Sequence, residues 1–395
     1  MRALILCNKF PYPATDGSSI AIMRMIDTLL AANIEVSLFS LNTQKHFKDA
    51  NALKTAYADK LSVISIDVLT DITASNTLAN LLTGQPFHVS RFYVSEVSKK
   101  LEALLQKETF DIIQFEGIFM GPYLDLVRKH SDAKCVLRPH NIEYRIWERF
   151  IKSEKNILKS LYLQIQTRRL KKYELEIIPQ FDGIVPISDA DKKFLELKVL
   201  KPIVTIPCAT DLNTYNEAPS EKANFFHIGA MDWMPNVSGI EWFLEKVWPL
   251  VLVKLPDATF NLAGRDMPNS LISNKQKGVS VVGEVESAED FYKENGILVV
   301  PLLSGSGIRI KIIEGLSYGK AIVSTTIGAM GIKLETNNHI IISDSPEDFA
   351  NSMIKLFEDK DLRLRIGKNA RALAKEKFDV AVLGNKISEF YNQLF

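Results

Sequence analysis

One stretch decides the fold of this chain: Ile297-Leu298-Val299-Val300-Pro301-Leu302-Leu303-Ser304-Gly305-Ser306-Gly307-Ile308-Arg309-Ile310-Lys311-Ile312-Ile313-Glu314. Its first four residues are apolar and predict a buried β-strand. The apolar positions after the glycines are spaced for a helix from Ile308 to Tyr318, and Gly319 is placed to end it. The stretch therefore predicts a strand, a loop of small residues and a helix, and apolar runs alternate with helical patterns along most of the chain.

The loop between this strand and helix has the features of an anion site. Small residues before a helix let a bulky anion reach backbone N–H groups that have no partner in the helix, and the helix dipole favours that anion. Arg309 and Lys311 fall in the first turn, where acidic residues are normally preferred, and Glu314 shares a face with Lys311. A cation for phosphate beside a carboxylate that can accept two hydroxyl hydrogen bonds suits a nucleoside diphosphate with its ribose. The pattern predicts a nucleotide-sugar site; the alternative is an exposed Lys–Glu pair on a helix surface.

Composition narrows the class of protein. At 395 residues the chain exceeds one ordinary hydrophobic core, which predicts about two domains. Apolar residues make up 46% and charged residues 24%, as in globular enzymes, and a net charge of +1 does not favour nucleic acid as a partner. No apolar run reaches the roughly 18 residues of a membrane-spanning helix, and the apolar start resembles a strand more than a signal peptide. Three widely spaced cysteines indicate a reducing compartment, and we expect a cytoplasmic protein.

The remaining apolar runs predict two α/β units in series. Their nearly continuous apolar character is typical of parallel strands buried on both faces. In the first half the predicted strands are 3–7, 36–41, 62–66, 111–115, 135–138, 183–187 and 203–206. In the second half they are 225–228, 259–263, 279–282, 297–300, 321–324 and 340–342.

The boundary between the units is expected in the polar segment 207–224, which holds two prolines and no sustained periodicity. We therefore predict an N-terminal domain over 1–207 and a C-terminal domain over 208–378, each a doubly wound parallel sheet. The helix after strand one is expected to be capped by Ser18 or Ser19. A last helix over 379–395, with Gly384 inside it, is expected to pack back on the N-terminal domain.

Several segments, in order along the chain, resemble one family. They are Phe10-Pro11-Tyr12-Pro13-Ala14-Thr15-Asp16-Gly17, Phe181–Ser188, Ile206–Asp211, Phe226–Trp233, Asn261–Arg265, Val281–Glu284 and Pro301–Gly331. Together they resemble the retaining glycosyltransferases of family 4 (glycosyl transferases group 1), of the bacterial surface-polysaccharide type. The resemblance implies the GT-B fold, two Rossmann-like domains that face each other across a cleft. It also implies an acceptor-binding N-terminal domain, a nucleotide-sugar-binding C-terminal domain, and sugar transfer from a UDP- or GDP-linked donor to a hydroxyl of a glycan, lipid-linked glycan or glycoprotein.

The resemblance assigns Lys311 to the diphosphate and Glu314 to the ribose. In the family a second Glu usually lies eight residues before the ribose Glu, where this chain has Ser306, and an Arg in the loop after the first C-terminal strand is absent from 229–236. We expect Arg309 to neutralise the leaving diphosphate instead, with Arg265 as a second candidate. The donor-binding set is expected to be Gly229, Met231, Arg265, Gly283, Ser304, Gly305, Ser306, Gly307 and Ile308.

Candidate acceptor residues follow strands of the first half. His140 and Glu116 lie at carboxyl ends of predicted parallel strands, where open α/β sheets bind ligands. An imidazole can hydrogen-bond a sugar hydroxyl and a carboxylate can orient an acceptor, so we place His140 among the catalytic residues. Gly17, Ser18, Glu116 and Asn141 form the expected acceptor set. The alternatives are a capping or core histidine and an ordinary turn glycine.

The segment Tyr144–Glu176 is rich in Lys and Arg, with apolar residues at helical spacing. Two interpretations stay open: a basic amphipathic surface that rests on an anionic membrane, or helices that pack on the sheet with a charged outer face. Glu148, Glu154, Glu174 and Glu176 favour the second because they dilute the positive charge.

The predicted chemistry is that of a metal-independent hexosyltransferase with no cofactor. The diphosphate charge would be met by Arg309, Lys311 and the helix N-terminus. Retention follows from the resemblance, and we favour front-face attack in which a departing phosphate oxygen helps to deprotonate the acceptor hydroxyl. Two alternatives remain: a nucleotide-sugar 2-epimerase, and a degenerate GT-B protein that binds nucleotide as a scaffold, which Ser306 in place of Glu keeps open.

Overall fold

The computed structural model describes residues 1–44, 47–70, 80, 84–154, 156–212, 221–305 and 307–395, with the backbone alone at 152 and 153. Its contacts divide into two units. The first unit holds Met1–Ala209 and Leu383–Phe395, and the second holds Thr210–Val382.

The first unit contains a six-stranded sheet in which every paired strand is parallel. Its strands are β1 Arg2–Cys7, β2 Glu35–Thr43, β3 Leu61–Val68, β4 Ile112–Glu116, β5 Lys134–Arg138 and β6 Gly183–Ile184. Their order across the sheet is β3-β2-β1-β4-β5-β6. Its described α-helices are α1 Gly17–Ala31, α2 Ala50–Tyr57, α3 Phe87–Ser90, α4 Ser95–Lys107, α5 Leu124–His130, α6 Glu143–Ser153, α7 Ile157–Ile177 and α8 Asp189–Glu196.

The second unit repeats this architecture with its own parallel sheet. Its strands are β7 Phe225–Ile228, β8 Phe260–Ala263, β9 Val279–Gly283, β10 Ile297–Val300, β11 Ala321–Ser324 and β12 Ile341–Ile342, in the order β12-β11-β10-β7-β8-β9. Its α-helices are α9 Met234–Trp242, α10 Trp248–Lys254, α11 Asn269–Ile272, α12 Ala288–Glu294, α13 Ile310–Ser317, α14 Pro346–Glu358 and α15 Lys360–Lys377, and α16 Val380–Asn392 returns to the first unit. The predicted pair of doubly wound α/β units is confirmed.

The central strands of each sheet are buried because they are mainly apolar on both faces. In β1, residues Ala3 to Cys7 are fully buried, and β10 and β11 are buried throughout. The segment predicted as a strand at 203–206 forms an isolated parallel bridge, between Ile184 and Ile203, and not a full strand. The N–H groups of Val204 and Ile206 still donate to the carbonyl oxygens of Ile184 and Pro186. Pro186 and Pro202 flank this contact, and proline has no N–H to donate to a ladder.

Two helix starts differ from the sequence predictions. Asp16, not a serine, caps α1, since its carboxylate accepts from the backbone N–H groups of Ser18 and Ser19. Helix α13 begins at Ile310 and not at Ile308, because Arg309 is extended (φ −91°, ψ 103°) and acts as the N-cap residue. Gly305 and Gly307 before it have φ of +116° and +78°, which only glycine adopts easily.

Helix α16 is continuous through Gly384, and the glycine has a packing reason. A Cβ atom there would lie 3.0 Å from the carbonyl oxygen of Thr28 in α1, so the missing side chain lets the two helices approach closely. Across the described ranges, no helix is both long and apolar enough to cross a membrane.

Candidate active site

In the second unit, Lys311 reaches from α13 to the ends of the central strands. Its Nζ lies 2.9 Å from Nε2 of His227, on β7, and donates to Oδ1 of Asn236, on α9, also at 2.9 Å. The other ring nitrogen of His227, Nδ1, lies 2.7 Å from the carbonyl oxygen of Val299. A carbonyl can only accept, so Nδ1 carries the hydrogen and Nε2 offers its lone pair to Lys311.

Burial controls the charge of this pair. Burial, together with the nearby Arg309 guanidinium, lowers the pKa of Lys311 to about 7, while Glu314 opposes the shift. Burial and the Lys311 charge hold the pKa of His227 well below 6.5. His227 is therefore a neutral acceptor at physiological pH, and Lys311 is a cation that an approaching anion would hold in its charged form.

Gly229 makes room for the Lys311 ammonium. A Cβ atom at this position would lie 2.5 Å from Nζ of Lys311 and 2.9 Å from Nδ2 of Asn236. Any larger residue would therefore displace the amine. The adjoining turn is equally tight, because a Cβ at Gly264 would lie 1.9 Å from the carbonyl oxygen of Gly229.

Glu314 is positioned from a neighbouring helix. The hydroxyl of Tyr292, on α12, lies 3.2 Å from Oε2 of Glu314 and 3.2 Å from the carbonyl oxygen of Lys311. Tyr292 is fully buried and stacks on Tyr318 with ring centroids 4.8 Å apart. Tyr292 thereby joins α12 to α13 at two residues, the backbone of Lys311 and the side chain of Glu314.

Arg309 is packed more tightly than its predicted place in the first turn implies. It is 5% exposed, and its guanidinium lies 5.1 Å from the ring centroid of Trp233. A Cβ at Gly305 would lie 2.7 Å from Nη2 of Arg309, so this glycine is required for the packing. Arg309 thus contributes positive charge next to Lys311 while its side chain is held against the loop that follows β7.

The other expected donor residues lie on the loops after β7 to β10. Arg265 is ion-paired with Asp232 at 3.1 Å and lies 3.6 Å from Asp266, so its charge is already balanced. Met231 is buried, and its N–H donates to the carbonyl oxygen of Arg265. Gly283 and Gly307 have positive φ. Ser304 is exposed, and Ile308 contacts the segment at Gly331. Ser306 lies outside the described residues.

The first unit holds a second polar cluster, at the carboxyl ends of β4 and β5. Oε2 of Glu116 accepts from Nη1 of Arg138 at 2.9 Å and lies 2.6 Å from Nε2 of His140. The Glu116 and Arg138 side chains are 0% and 1% exposed. Gln114 donates to the other oxygen of Glu116 at 2.7 Å and accepts from the hydroxyl of Tyr391, on α16.

This cluster fixes the tautomer of His140. Glu116 is charged, since the Arg138 and His140 contacts outweigh burial and keep its pKa below 4.5. Nε2 of His140 therefore carries the hydrogen, and Nδ1 is left as an acceptor, 3.2 Å from Oγ of Ser18. Burial, opposed by Glu116, lowers the pKa of His140, so the ring is neutral at pH 7.

The loop before α1 completes the cluster. Asp16 accepts from Lys9 at 2.5 Å, and burial, which raises the pKa of Asp16, is outweighed by Lys9 and by Ser19, which bring it to about 2. Gly17 begins α1, and Asn141 is half-buried beside His140. The structure thus places His140 and Glu116, both expected at strand ends, in contact with each other, and Ser18 lies beside His140.

Sequence reasoning missed His227, Asn236 and Tyr292. A histidine inside the apolar run of β7 was a usable signal, because a buried imidazole requires hydrogen-bond partners. Tyr292 comes from a helix that precedes β10, and its sequence context carries no comparable signal. Among the described residues, no group of three or more His, Cys, Asp and Glu side chains is arranged to hold a metal ion.

Comparison with known proteins finds one family model and several relatives that resemble this chain. Residues 222–359 match the family described as glycosyl transferases group 1. An uncharacterized 44.6 kDa protein in the cps region of Klebsiella pneumoniae is 23% identical over 96% of both chains. An uncharacterized glycosyltransferase of Methanocaldococcus jannaschii is 32% identical over 106 residues, which are 26% of this chain and 27% of that protein.

Among solved structures, HepE from Anabaena in complex with UDP superposes with a TM-score of 0.65 over the whole of both chains, at 15% identity. A likeness at this identity shows the fold alone, and it covers both parallel sheets of this chain. The chain therefore has the GT-B fold, and its residues 222–359 carry a glycosyl transferases group 1 domain.

Proposed function

We propose that this glycosyltransferase moves a sugar, with retention, from a nucleoside diphosphate sugar to a hydroxyl of a glycan, lipid-linked glycan or glycoprotein. The observation that carries the proposal is the buried Lys311 ammonium, which lies among neutral acceptors with Glu314 one turn along the same helix. This arrangement offers a cation for a diphosphate and a carboxylate for a ribose.

The second unit, Thr210–Val382, is the proposed donor domain. Lys311 and Arg309 supply two positive charges to this site. Arg265 adds no net charge, because its ion pair with Asp232 neutralises it. The ribose hydroxyls donate to Glu314, which Tyr292 orients. Of the two expected bases, UDP is favoured over GDP by the UDP complex of HepE.

The first unit, Met1–Ala209 with Leu383–Phe395, is the proposed acceptor domain. Nδ1 of the neutral His140 is an acceptor for a sugar hydroxyl, and the hydroxyl would take the place of Ser18 Oγ as its hydrogen-bond donor. Glu116 holds the ring in this tautomer and does not itself reach the sugar, since its side chain is 0% exposed. Gly17 and Asn141 complete the proposed acceptor set.

Charge stabilisation is the proposed source of rate enhancement. As the glycosidic bond breaks, negative charge grows on the diphosphate, and the Lys311 ammonium, Arg309 and the start of α13 meet it without reorganising. For retention we propose front-face attack, in which the departing phosphate oxygen takes the proton of the acceptor hydroxyl.

The test is a ligand and product experiment on the full chain. Isothermal titration with UDP, GDP, ADP and CMP identifies the base that the protein prefers. The product is then identified by mass spectrometry of reactions that contain the matching nucleotide-sugar and a crude glycan acceptor. Transfer of the sugar to acceptor supports the proposal. An isomerised donor without transfer would indicate the epimerase alternative, and tight nucleotide binding without any product would indicate the scaffold.

We also propose that the hairpin tip between α6 and α7 contacts an anionic membrane. Four apolar side chains are exposed there: Phe150 by 44%, Ile157 by 83%, Leu158 by 80% and Leu161 by 56%. Two exposed cations, Arg149 and Lys159, lie among them. Apolar side chains that enter the headgroup region beside cations that remain at its surface are what peripheral membrane contact requires.

Two of the acids that diluted the positive charge of this segment have partners in the structure. Burial raises the pKa of Glu174 to about 7, and the carboxylate accepts from the N–H groups of Glu143 and Tyr144 at the start of α6. Glu154 is paired with Lys159 at 2.6 Å. Glu174 is thus buried away from this surface, while the Glu154–Lys159 pair cancels one charge of each sign. The exposed apolar side chains are therefore the main support for the membrane contact.

Flotation with liposomes that contain anionic lipid tests this contact. We expect the protein to float with these vesicles, and Leu158→Ser to reduce the bound fraction. Val253→Ser, at an equally exposed apolar position of the second unit, serves as the control. Equal flotation of both variants and the wild type, or no flotation at all, would remove the membrane contact.

A further inference from the structure

We infer that His227 and Asn236 are positioning residues for donor binding: they hold the Lys311 ammonium at the point where the diphosphate must lie. The inference rests on the proposed function, and it adds two residues to the donor site that the sequence did not single out. Neither side chain has to touch the donor, because both act through Lys311.

The hydrogen-bond chain has one direction only. The carbonyl oxygen of Val299 accepts from Nδ1 of His227, so Nε2 accepts from Lys311. Asn236 is fixed in the same way: its Nδ2 donates to the carbonyl oxygen of Ala230 at 2.7 Å, which leaves Oδ1 for Lys311. Two neutral acceptors thus point at one amine, and at least one N–H of the ammonium remains for a ligand.

Neutral acceptors suit this task better than a carboxylate. They hold the amine in place without cancelling its charge, so the positive charge remains available to a phosphate. The charged groups around Lys311 are Arg309, which precedes it at the start of α13, and Glu314 one turn later; β7 and α9 contribute only the neutral His227 and Asn236.

Donor affinity should consequently depend on pH. The free Lys311 has a pKa lowered to about 7, chiefly by burial, and a bound diphosphate raises it. Affinity is then greatest below the pKa of the free form and falls as pH rises through it, by up to about tenfold per pH unit. The terminal phosphate of UDP, with a second pKa of about 6, is mostly ionised at pH 7 and only gains negative charge above it. A fall in affinity between pH 7 and 8 therefore has the opposite sign to the titration of the ligand's phosphate and belongs to the protein, whereas nearer pH 9 the uracil N3–H also begins to ionise.

Two substitutions separate the functions of the imidazole. His227→Gln places an amide oxygen near the position of Nε2 and keeps an acceptor for Lys311, while the donation to Val299 is lost. His227→Asn does the reverse, since its amide reaches only as far as Nδ1. If His227 merely fills the core, the two variants bind equally; if it positions Lys311, His227→Gln retains affinity and His227→Asn weakens it about tenfold or more.

The experiment is isothermal titration of UDP into the full chain at pH 7, 8 and 9, with melting temperatures of the unliganded proteins as the folding control. We expect wild type and His227→Gln to share a pH profile. In His227→Asn the midpoint should move to lower pH, because the ammonium loses an acceptor. Asn236→Asp places a carboxylate beside Lys311 and should move the midpoint to higher pH, which gives an independent result if His227→Asn does not fold.

Three outcomes are distinguishable. If the wild type binds neither UDP nor GDP, ADP or CMP, the proposed donor site itself is wrong. If it binds with equal affinity from pH 7 to 9, the donor site stands and the positioning inference is wrong. Equal affinities and midpoints for His227→Gln and His227→Asn would likewise overturn it.

Discussion

Replacement of Glu116 by Gln should destabilise the first unit strongly. Both members of the Glu116–Arg138 pair are almost fully buried, with 2.9 Å between Oε2 and Nη1. The amide keeps the shape of the carboxylate but leaves the Arg138 charge without a counter-ion. Removing one partner of a buried pair costs about 3–5 kcal/mol. In a unit of this size that corresponds to a melting temperature lower by roughly 6–20 °C.

The dependence of stability on pH gives the prediction a second readout. The pKa of Glu116 is raised by burial but lowered more by Arg138 and His140, and it ends below its ordinary value of 4.5. A carboxyl group with a depressed folded-state pKa contributes stability that is full above 4.5 and is lost as pH falls. The wild-type melting temperature should therefore fall on acidification, and Glu116→Gln should lack this contribution.

Differential scanning calorimetry between pH 3 and 7 measures both effects. Glu176→Gln is the matched control, because Glu176 lies 3.9 Å from Lys172 with both side chains mostly exposed. Such a surface pair is worth about 0–1 kcal/mol. A Glu116→Gln protein that melts within about 2 °C of this control at pH 7 would contradict the assignment of a charged, buried pair.

Three further predictions concern the donor site. Lys311→Ala should lower the initial rate of sugar transfer about 10²–10³-fold, because the charge that develops on the diphosphate loses its partner; near-normal turnover would refute that role. Gly229→Ala should weaken UDP binding in titration while the melting temperature changes less, since the new Cβ would lie 2.5 Å from Nζ of Lys311 and displace it. Tyr292→Phe should raise KM for the donor several-fold by freeing Glu314, and an unchanged KM would argue against an orienting hydroxyl.

The strands were predictable because their sequence signal is simple. Every residue of β10 and every residue of β1 after Arg2 is apolar, and burial on both faces needs no other information. Helix starts were less predictable, because Asp16 and Ser18 are both good capping residues and only the backbone geometry chooses between them. The start of α13 depends on positive φ at Gly305 and Gly307, and apolar periodicity does not report φ.

A site residue could be predicted when its position at the end of a predicted strand was enough to locate it. His140 and Glu116 follow strands of one parallel sheet, so their proximity follows from topology. Partners that come from other helices and strands could not be predicted, and His227 shows the reason. Its place inside β7 is evident from the sequence, but its contact with Lys311 joins residues 84 positions apart through the packing of α13 on the sheet.

The two clusters differ in charge in a way that supports a division of tasks. In the first unit each cation has an anion beside it: Arg138 contacts Glu116, and Lys9 contacts Asp16. A balanced, buried cluster with an imidazole acceptor at its surface suits a neutral hydroxyl, because no net charge has to be met. In the second unit the partners of Lys311 are neutral, and its pKa near 7 shows that the ammonium is held only weakly in its charged form. An anionic ligand stabilises such a site most, because a diphosphate would supply the negative charge that the protein does not place beside the ammonium. We therefore infer that the donor binds to the second unit, where Lys311 has no counter-ion among its described hydrogen-bond partners. The acceptor binds to the first unit, where each cation of the cluster is paired with an anion.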